Sequence, residues 1–260
     1  MSQELHQRVV EHYDPQFAMA YGSGAFPQEG YTGKKQIDFI FGVENPREWH
    51  LQNFENNPND YPLLGRLALK NQKFFNLVQN SGAGIWYIPF VPFEDQNIKY
   101  GVMSIDRLEQ DLENWETLYA AGRLHKPVNK LRSNKTINQL IEQNEKAALN
   151  VAILMLPEQF TPEQLYMTIT GISYIGDSRM AIGENPLKVQ SIVKGNMEGF
   201  REKYESLFES CGIEIDRSYL RRTRPLQHYL EQLPSSLQDI EFFDFSNLDG
   251  KGNLEKAIAC

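Results

Sequence analysis

The chain has 260 residues, 41% of them hydrophobic, with 26 Lys and Arg against 34 Asp and Glu and a formal net charge of -8. That is enough apolar sequence for one large domain or two small ones, and the acidic balance argues against nucleic acid as a partner, which needs basic surface to displace counterions. Cys211 and Cys260 do not make a disulfide framework and point to a reducing compartment. The N-terminal MSQELHQRVVEHYDPQ is mixed in charge, so it reads neither as a signal peptide nor as an Arg-rich, acid-poor transit peptide. The most apolar helical stretch, AALNVAILML, stops before Pro157 and is far short of a membrane span. The expectation is a protein that is soluble or at most peripheral to a membrane.

In chain order, FAMAYG (17–22) and KQIDFIFGV (35–43) read as strands, and Asn45-Pro46-x-Glu48 opens a helix toward Asn56. PLLGRLALKNQKFFNLVQN follows as one longer amphipathic run, and then GIWYIPFV (84–91) and IKYGVMS (98–104) flank PFEDQN as a hairpin. From Ile105 the period becomes helical, with Ile105, Leu108, Leu112, Trp115 and Leu118 in phase and Gly122 as a stop. Asn134 to Leu156 reads as a second helix, Thr161-Pro162-Glu163-Gln164 as a capping box opening a third, and Pro186 to Cys211 as a fourth. The fold class is α+β. Residues 1–112 form the sheet-bearing domain, 113–212 a helical domain and 213–260 a C-terminal region, with the first boundary falling within 105–125.

Gly22-Ser23-Gly24 at a strand end exposes backbone N–H groups and a hydroxyl, which suits a phosphate cradle as well as a plain tight turn. Asp38 stands inside a strand that otherwise reads as buried; a bound Mg²⁺, a basic partner or an edge position would each resolve its cost. Lys99, between Ile98 and Tyr100, neutralises phosphate charge if it faces inward. AGRLHKPVNKLR crowds Arg123, His125, Lys126, Lys130 and Arg132 after a helix, as an anion grip or as a solvated basic loop favoured by the helix dipole. Asp177 and Arg179 fall in a turn, where they reach a nucleotide or simply close the turn. His50, beside Trp49, is as well explained by packing as by catalysis. HExxH, paired CxxC, Walker A and GxSxG patterns are absent, against zinc, P-loop and serine-hydrolase chemistry.

The Gly-Ser turn followed by an acid in the next strand resembles nucleotidyltransferases of the DNA polymerase β type. The second acid of that pattern, two residues on, is Ile40 here, and Glu44 lies about 20 Å further along an extended strand. AYGSGAF, IDFIFGV, Trp49-His50 with Asn53, IKYGVMS, LYAAGRLHKPV, AILMLPEQF and YIGDSRM then occur in an order similar to the mitochondrial translocator assembly and maintenance protein family, the mitochondrial-type phosphatidate cytidylyltransferases. The resemblance covers about residues 15–205. It implies a nucleotidyltransferase domain followed by a helical, winged-helix-like domain. It also implies synthesis of CDP-diacylglycerol from CTP and phosphatidic acid in phospholipid (including cardiolipin) synthesis, with Mg²⁺ as cofactor. On this reading Ser23 and Asp38 are catalytic and Asp38 is the metal ligand. Gly22, Ser23, Gly24, Lys99, Arg123, Lys126, Asp177 and Arg179 meet the nucleotide. The alternatives are transfer to another acceptor, or a degenerate fold serving as an assembly module.

The absent transit signature suggests a bacterial relative at the cytoplasmic face of the inner membrane, or a mature mitochondrial form on the matrix side. RSYLRRTRPLQHYL (217–230) combines Arg217, Arg221, Arg222 and Arg224 with apolar residues and no acid, which suits peripheral contact with an anionic membrane. Oligomeric state stays open.

Overall fold

The computed structural model describes residues 2–25, 36–175, 187–238, 254, 255 and 258. The chain divides into two units. The first comprises the described residues up to Asp111 and Val128–Gln139, the second Leu112–Pro127 and the described residues from Leu140 onward.

Unit 1 is built on a five-stranded mixed sheet. Its strands are β1 (Phe17–Tyr21), β2 (Ile37–Val43), β3 (Trp86–Phe93), β4 (Gln96–Ser104) and β5 (Asn129–Arg132), in the spatial order β3-β4-β2-β1-β5. β2 and β4 run parallel and the other pairs antiparallel. β2 is therefore the central strand, which removes the edge position as an explanation for Asp38. The sequence reading missed β5, taking its residues as part of a basic loop.

Strand side chains alternate between faces; one set enters a single buried cluster, and the other set holds part-exposed Asp38 and Lys99 beside buried Met19 and Ile40. Ile37, Phe39, Phe41 and Val43 of β2, Ala18 and Ala20 of β1, and Ile98, Tyr100 and Val102 of β4 belong to one buried cluster. The helices over this face are α1 (Ser2–Tyr13), α4 (Leu63–Lys70) and α5 (Gln72–Gln79), which contribute Val9, Val10, Tyr13, Ala68, Leu69 and Phe75, and α3 (Pro46–Asn56), which packs Trp49, Leu51 and Phe54 against the cluster. The cap predicted for α3 is present: the Asn45 side chain accepts from the N–H groups of Arg47 and Glu48, with Pro46 in the first turn. The run read as one amphipathic helix is two, because Asn71 is extended and its side chain caps α5 through the Phe74 N–H at 3.2 Å. Helix α6 (Ile105–Asn114) stops short of Gly122, since Trp115 and Leu118 take left-handed φ values of 57° and 54°.

The core of unit 1 contains a polar network. Fully buried His50 pairs through Nδ1 with the Tyr61 hydroxyl at 2.8 Å, and Asn53 Nδ2 donates to the hydroxyls of Tyr61 and Tyr100. Tyr100 and Tyr13 both donate to Asp60 Oδ2, at 2.8 and 2.9 Å. His50 is thus a packing residue.

Unit 2 contains α7 (Tyr119–Leu124), most of α8 (Lys135–Met155), α9 (Pro162–Ile172), α10 (Lys188–Lys194) and α11 (Met197–Tyr204), with the short helices α12 (Leu226–Leu230) and α13 (Ser235–Gln238). A three-stranded antiparallel sheet, ordered β6-β8-β7, is formed by β6 (Gln159–Phe160), β7 (Ile213–Asp216) and β8 (Tyr219–Arg222). The Thr161 capping box is complete. The single helix expected over 186–211 is instead broken at Gly195-Asn196 into α10 and α11. Tyr166, Phe200 and Tyr204 stack in the core, and His125, fully buried, pairs with Asn144 Oδ1 at 3.0 Å. In 217–230, Leu220 and Tyr229 are buried and Arg221 pairs with Glu214, leaving Tyr219 exposed among the arginines.

Burial drives the pKa of both His50 and His125 down to about 3. The unfolded chain takes up these protons near pH 6.5 and the folded chain does not, so stability falls as pH drops from 6.5 toward 3. Urea midpoints measured across this window are expected to decline steeply in wild type and less steeply in His50→Asn, whatever that variant loses at neutral pH. Equal slopes would remove His50 from the acid response.

Candidate active site

On the face of the sheet away from the buried cluster, β2 presents Asp38 and Ile40, β4 presents Lys99 and Gly101, and β1 ends at Tyr21. The register aligns Asp38 with Tyr21 on one side and with Lys99 on the other. Lys99 Nζ lies 3.7 Å from Asp38 Oδ1, and both side chains are part-exposed, 31% and 27%. The basic-partner reading of Asp38 is therefore realised, and Lys99 faces the same side as the acid.

Directly after β1 the chain turns into α2 (Gly22–Ala25), a single helical turn where a tight turn was expected. Gly22 has φ +75°, and a Cβ there would sit 3.2 Å from Asp38 Oδ2. At Gly24 a Cβ would lie 2.2 Å from the Gln36 carbonyl oxygen, closer than any side chain permits. Gly24 is thus required by space and Gly22 by its left-handed backbone, and together they set the start of α2, with half-buried Ser23, against the Asp38 carboxylate. Free backbone N–H groups at such a start favour anions.

Two further residues belong here that the sequence reading did not select. Tyr87 on β3 pairs in register with Gly101, and its ring occupies the space a residue-101 side chain would fill: a Cβ there would be 2.6 Å from Tyr87 Cε1. Its hydroxyl shares a 3.0 Å hydrogen bond with that of Tyr21. Lys99 Nζ sits 4.3 Å from the centre of the Tyr87 ring, a cation–π contact that holds the ammonium over the site. The sequence signal was Gly101 in a buried strand, opposite an aromatic residue.

The position where a second acid was expected is Ile40, which is fully buried. Among the described residues no cluster of three or more His, Cys, Asp or Glu is disposed to hold a metal. One carboxylate against an anion-favouring turn fits Mg²⁺ in a particular way, as an ion ligated mainly by substrate phosphates and water, with one protein oxygen.

The other candidate cations sit in unit 2. Arg123 donates from Nη1 to the Tyr119 carbonyl and stacks over the Tyr119 ring at 3.5 Å. Half-buried Lys126 donates to Ser173 Oγ at 2.6 Å and lies 5.1 Å from the Tyr174 ring centre. Burial, then the charge of Arg123, lowers the Lys126 pKa to about 7. The solvated-loop reading therefore fails for these two residues. Lys130 and Arg132 part from them and lie on β5 in unit 1, where Arg132 pairs with Asp14. Asp177 and Arg179 lie outside the described residues. A separate cleft of about 160 Å³ toward the far end of β2 and β4 is lined by Arg47, Gln79, Ser104 and Arg107, and contains none of the candidate residues.

Residues 6–241 match the family described as "Phosphatidate cytidylyltransferase, mitochondrial". Proteins of that name are similar over most of the chain. The one from Danio rerio is 37% identical, covering 91% of this chain and 78% of the relative. The one from Xenopus laevis is 42% identical over 86% and 70%. The one from Schizosaccharomyces pombe is 42% identical over 77% and 52%.

The spatial argument for Gly24 has a direct test. Gly24→Ala is expected to destabilise unit 1 or displace α2, whereas Gly171→Ala, in α9 with nothing within 4 Å of the added Cβ, should gain about 0.5–1 kcal/mol from helix propensity. Chemical unfolding of the two variants checks this, and a neutral Gly24→Ala would refute the close approach.

Proposed function

The chain belongs to the mitochondrial-type phosphatidate cytidylyltransferase family, and from this premise we infer that it transfers the cytidylyl group of CTP to phosphatidic acid, forming CDP-diacylglycerol and pyrophosphate. The observation in the fold that carries the reading is the Asp38 carboxylate on a central strand, set against the Gly22-Ser23 turn with Lys99 beside it.

In the proposed mechanism the N–H groups at the start of α2 and the Ser23 hydroxyl donate to phosphate oxygens of CTP. Lys99 offsets charge on the triphosphate. Asp38 is the protein ligand for Mg²⁺, which when bound supplies further charge neutralisation on the phosphates. A phosphate oxygen of phosphatidic acid forms the new bond to the α-phosphorus as the bond to the β-phosphate oxygen breaks, and pyrophosphate leaves with that electron pair. The nucleophile is already ionised at neutral pH, so no general base is needed, and positioning and charge stabilisation supply the rate. His50 fits this account: it lies under the opposite face of the sheet and is held neutral by burial. In unit 2, Arg123 and Lys126 are proposed to meet phosphate groups of CTP or of the lipid; Asp177 and Arg179 are assigned to the nucleotide on the family resemblance.

Unit 1 is proposed to be a nucleotidyltransferase fold of the polymerase β type and unit 2 a winged-helix-like domain, supported respectively by the Gly-Ser turn leading to an acid-bearing central strand and by a small antiparallel sheet following helices. Among the described residues no helix is long and apolar enough to cross a membrane. The relatives are named mitochondrial, and the proposed location is peripheral, on the matrix side of the inner membrane or, for a bacterial protein, on its cytoplasmic face.

Asp38→Asn and Ser23→Ala are expected to fold and to lower the rate of CDP-diacylglycerol formation from CTP by about 10²–10³. Near wild-type turnover by Asp38→Asn would sink the site. Lys126 gives an independent readout. With a pKa of about 7 in the free protein it is largely neutral at pH 8, and a bound phosphate would restore its charge. Calorimetry of CTP binding in buffers of different ionisation enthalpy should show uptake of about one proton at pH 8 in wild type and less in Lys126→Met. Equal uptake would separate Lys126 from the nucleotide.

A further inference from the structure

Helices α4 and α5 leave Leu63, Leu64, Leu67, Phe74 and Leu77 between 48% and 79% exposed, while Ala68, Leu69, Phe75 and Gln79 anchor the same helices in unit 1. Isolated exposed leucines are ordinary, but five large apolar side chains on two helices joined by one residue are not. The charges around them are one-sided. Between Asp60 and Glu94 the sequence has no acidic residue, although the whole chain carries -8. Arg66 is tied to the carbonyls of Tyr61 and Pro58. Lys70 follows Leu63 and Leu67 at i+7 and i+3, on the same helical face, and Lys73 precedes Leu77 by four on α5. Both lysines are exposed, and neither makes an ion pair among the described residues.

We propose that the outer faces of α4 and α5 dock unit 1 on a bilayer containing phosphatidic acid, with the leucines and Phe74 in the headgroup and acyl boundary and Lys70 and Lys73 against the lipid phosphates. The inference rests on the proposed reaction, whose acceptor resides in a bilayer and must be reached by a chain with no spanning helix among its described residues. An apolar helical face bordered by lysines and free of acids matches an anionic lipid surface in both respects. It matches a second copy of the chain less well, because a twofold contact through this face would bring unpaired lysines together. The 217–230 stretch is the poorer apolar surface, since Leu220 and Tyr229 are buried.

The test is co-sedimentation with phosphatidylcholine vesicles, with and without phosphatidic acid, at low and high salt. Wild type should bind the acidic vesicles, less so at high salt. Leu64→Ser/Leu67→Ser/Leu77→Ser should bind about tenfold or more weakly, and Lys70→Glu/Lys73→Glu should lose about fivefold per lysine together with the salt sensitivity. Both variants change exposed positions, and thermal unfolding confirms that they fold. CDP-diacylglycerol formation from vesicle-borne phosphatidic acid should fall in parallel, while formation from a short-chain, monomeric phosphatidic acid stays at the wild-type level. Wild-type vesicle binding by both variants would overturn the docking surface. So would conversion of a dimer to a monomer by the leucine substitutions with vesicle binding unchanged. Failure of the wild type to use even the short-chain substrate would instead overturn the reaction, and the vesicle result would still decide the surface.

Discussion

A carboxylate on the central strand of a sheet has strands on both sides and a packed core beneath, so its only approach to water or to a ligand is outward from the sheet face. Asp38 is in this position, and the surrounding residues can be understood from it. Gly22 leaves room beside Oδ2, Gly24 lets α2 press against the start of β2, and Gly101 lets the Tyr87 ring lie across β4. Lys99 supplies an opposite charge, with Nζ 3.7 Å from Asp38 Oδ1. At this spacing and with both groups part-exposed, the pair contributes little to stability, which is consistent with a site rather than a brace.

The opposite face holds that geometry in place. Strand side chains alternate, so any slip of β4 by one residue would exchange the environments of Lys99 and Tyr100. Tyr100 is fixed in the core by hydrogen bonds from Asn53 and to Asp60 and by stacking on Phe41 at 5.4 Å. Moving it outward would leave buried polar groups unpaired, at about 1–3 kcal/mol each. The network under the sheet thus fixes the register that puts Lys99 beside Asp38. Its histidine is part of that scaffold, which gives the conspicuous Trp-His pair in the sequence a structural reason.

What could be read from the sequence was what local chemistry controls. β1, β2, the Asn45 cap, the β3–β4 hairpin and the Thr161 capping box depend on neighbours within a few residues. The failures depended on distant partners or on unusual backbone. Asn129–Arg132 has little strand character of its own and becomes β5 by pairing with β1, more than a hundred residues earlier. Trp115 and Leu118 adopt left-handed conformations that their residue types disfavour, so the break after α6 had no glycine to announce it. Asn71 read as one polar position in an amphipathic run, although it closes α4 and caps α5. At the site, Gly22, Asp38 and Lys99 were legible because each residue type is anomalous where it stands. Tyr21 and Tyr87 were not, because tyrosines in strands are common and only the register shows that their hydroxyls meet.

The chemistry proposed for this site is dominated by charge. Both substrates are anions, so bringing a phosphate monoester to a triphosphate costs repulsion that the protein must offset, whereas removing a proton from the nucleophile costs nothing. This is why a candidate set with one carboxylate and several cations is adequate here and would serve poorly for a hydroxyl acceptor. Cations gathered before substrate arrives would repel one another in turn. For the proposed reaction Lys126 would offer one way around that difficulty: burial and the charge of Arg123 lower its pKa to about 7, and if it meets a substrate phosphate as proposed, a proton taken up with the anion would complete the charge.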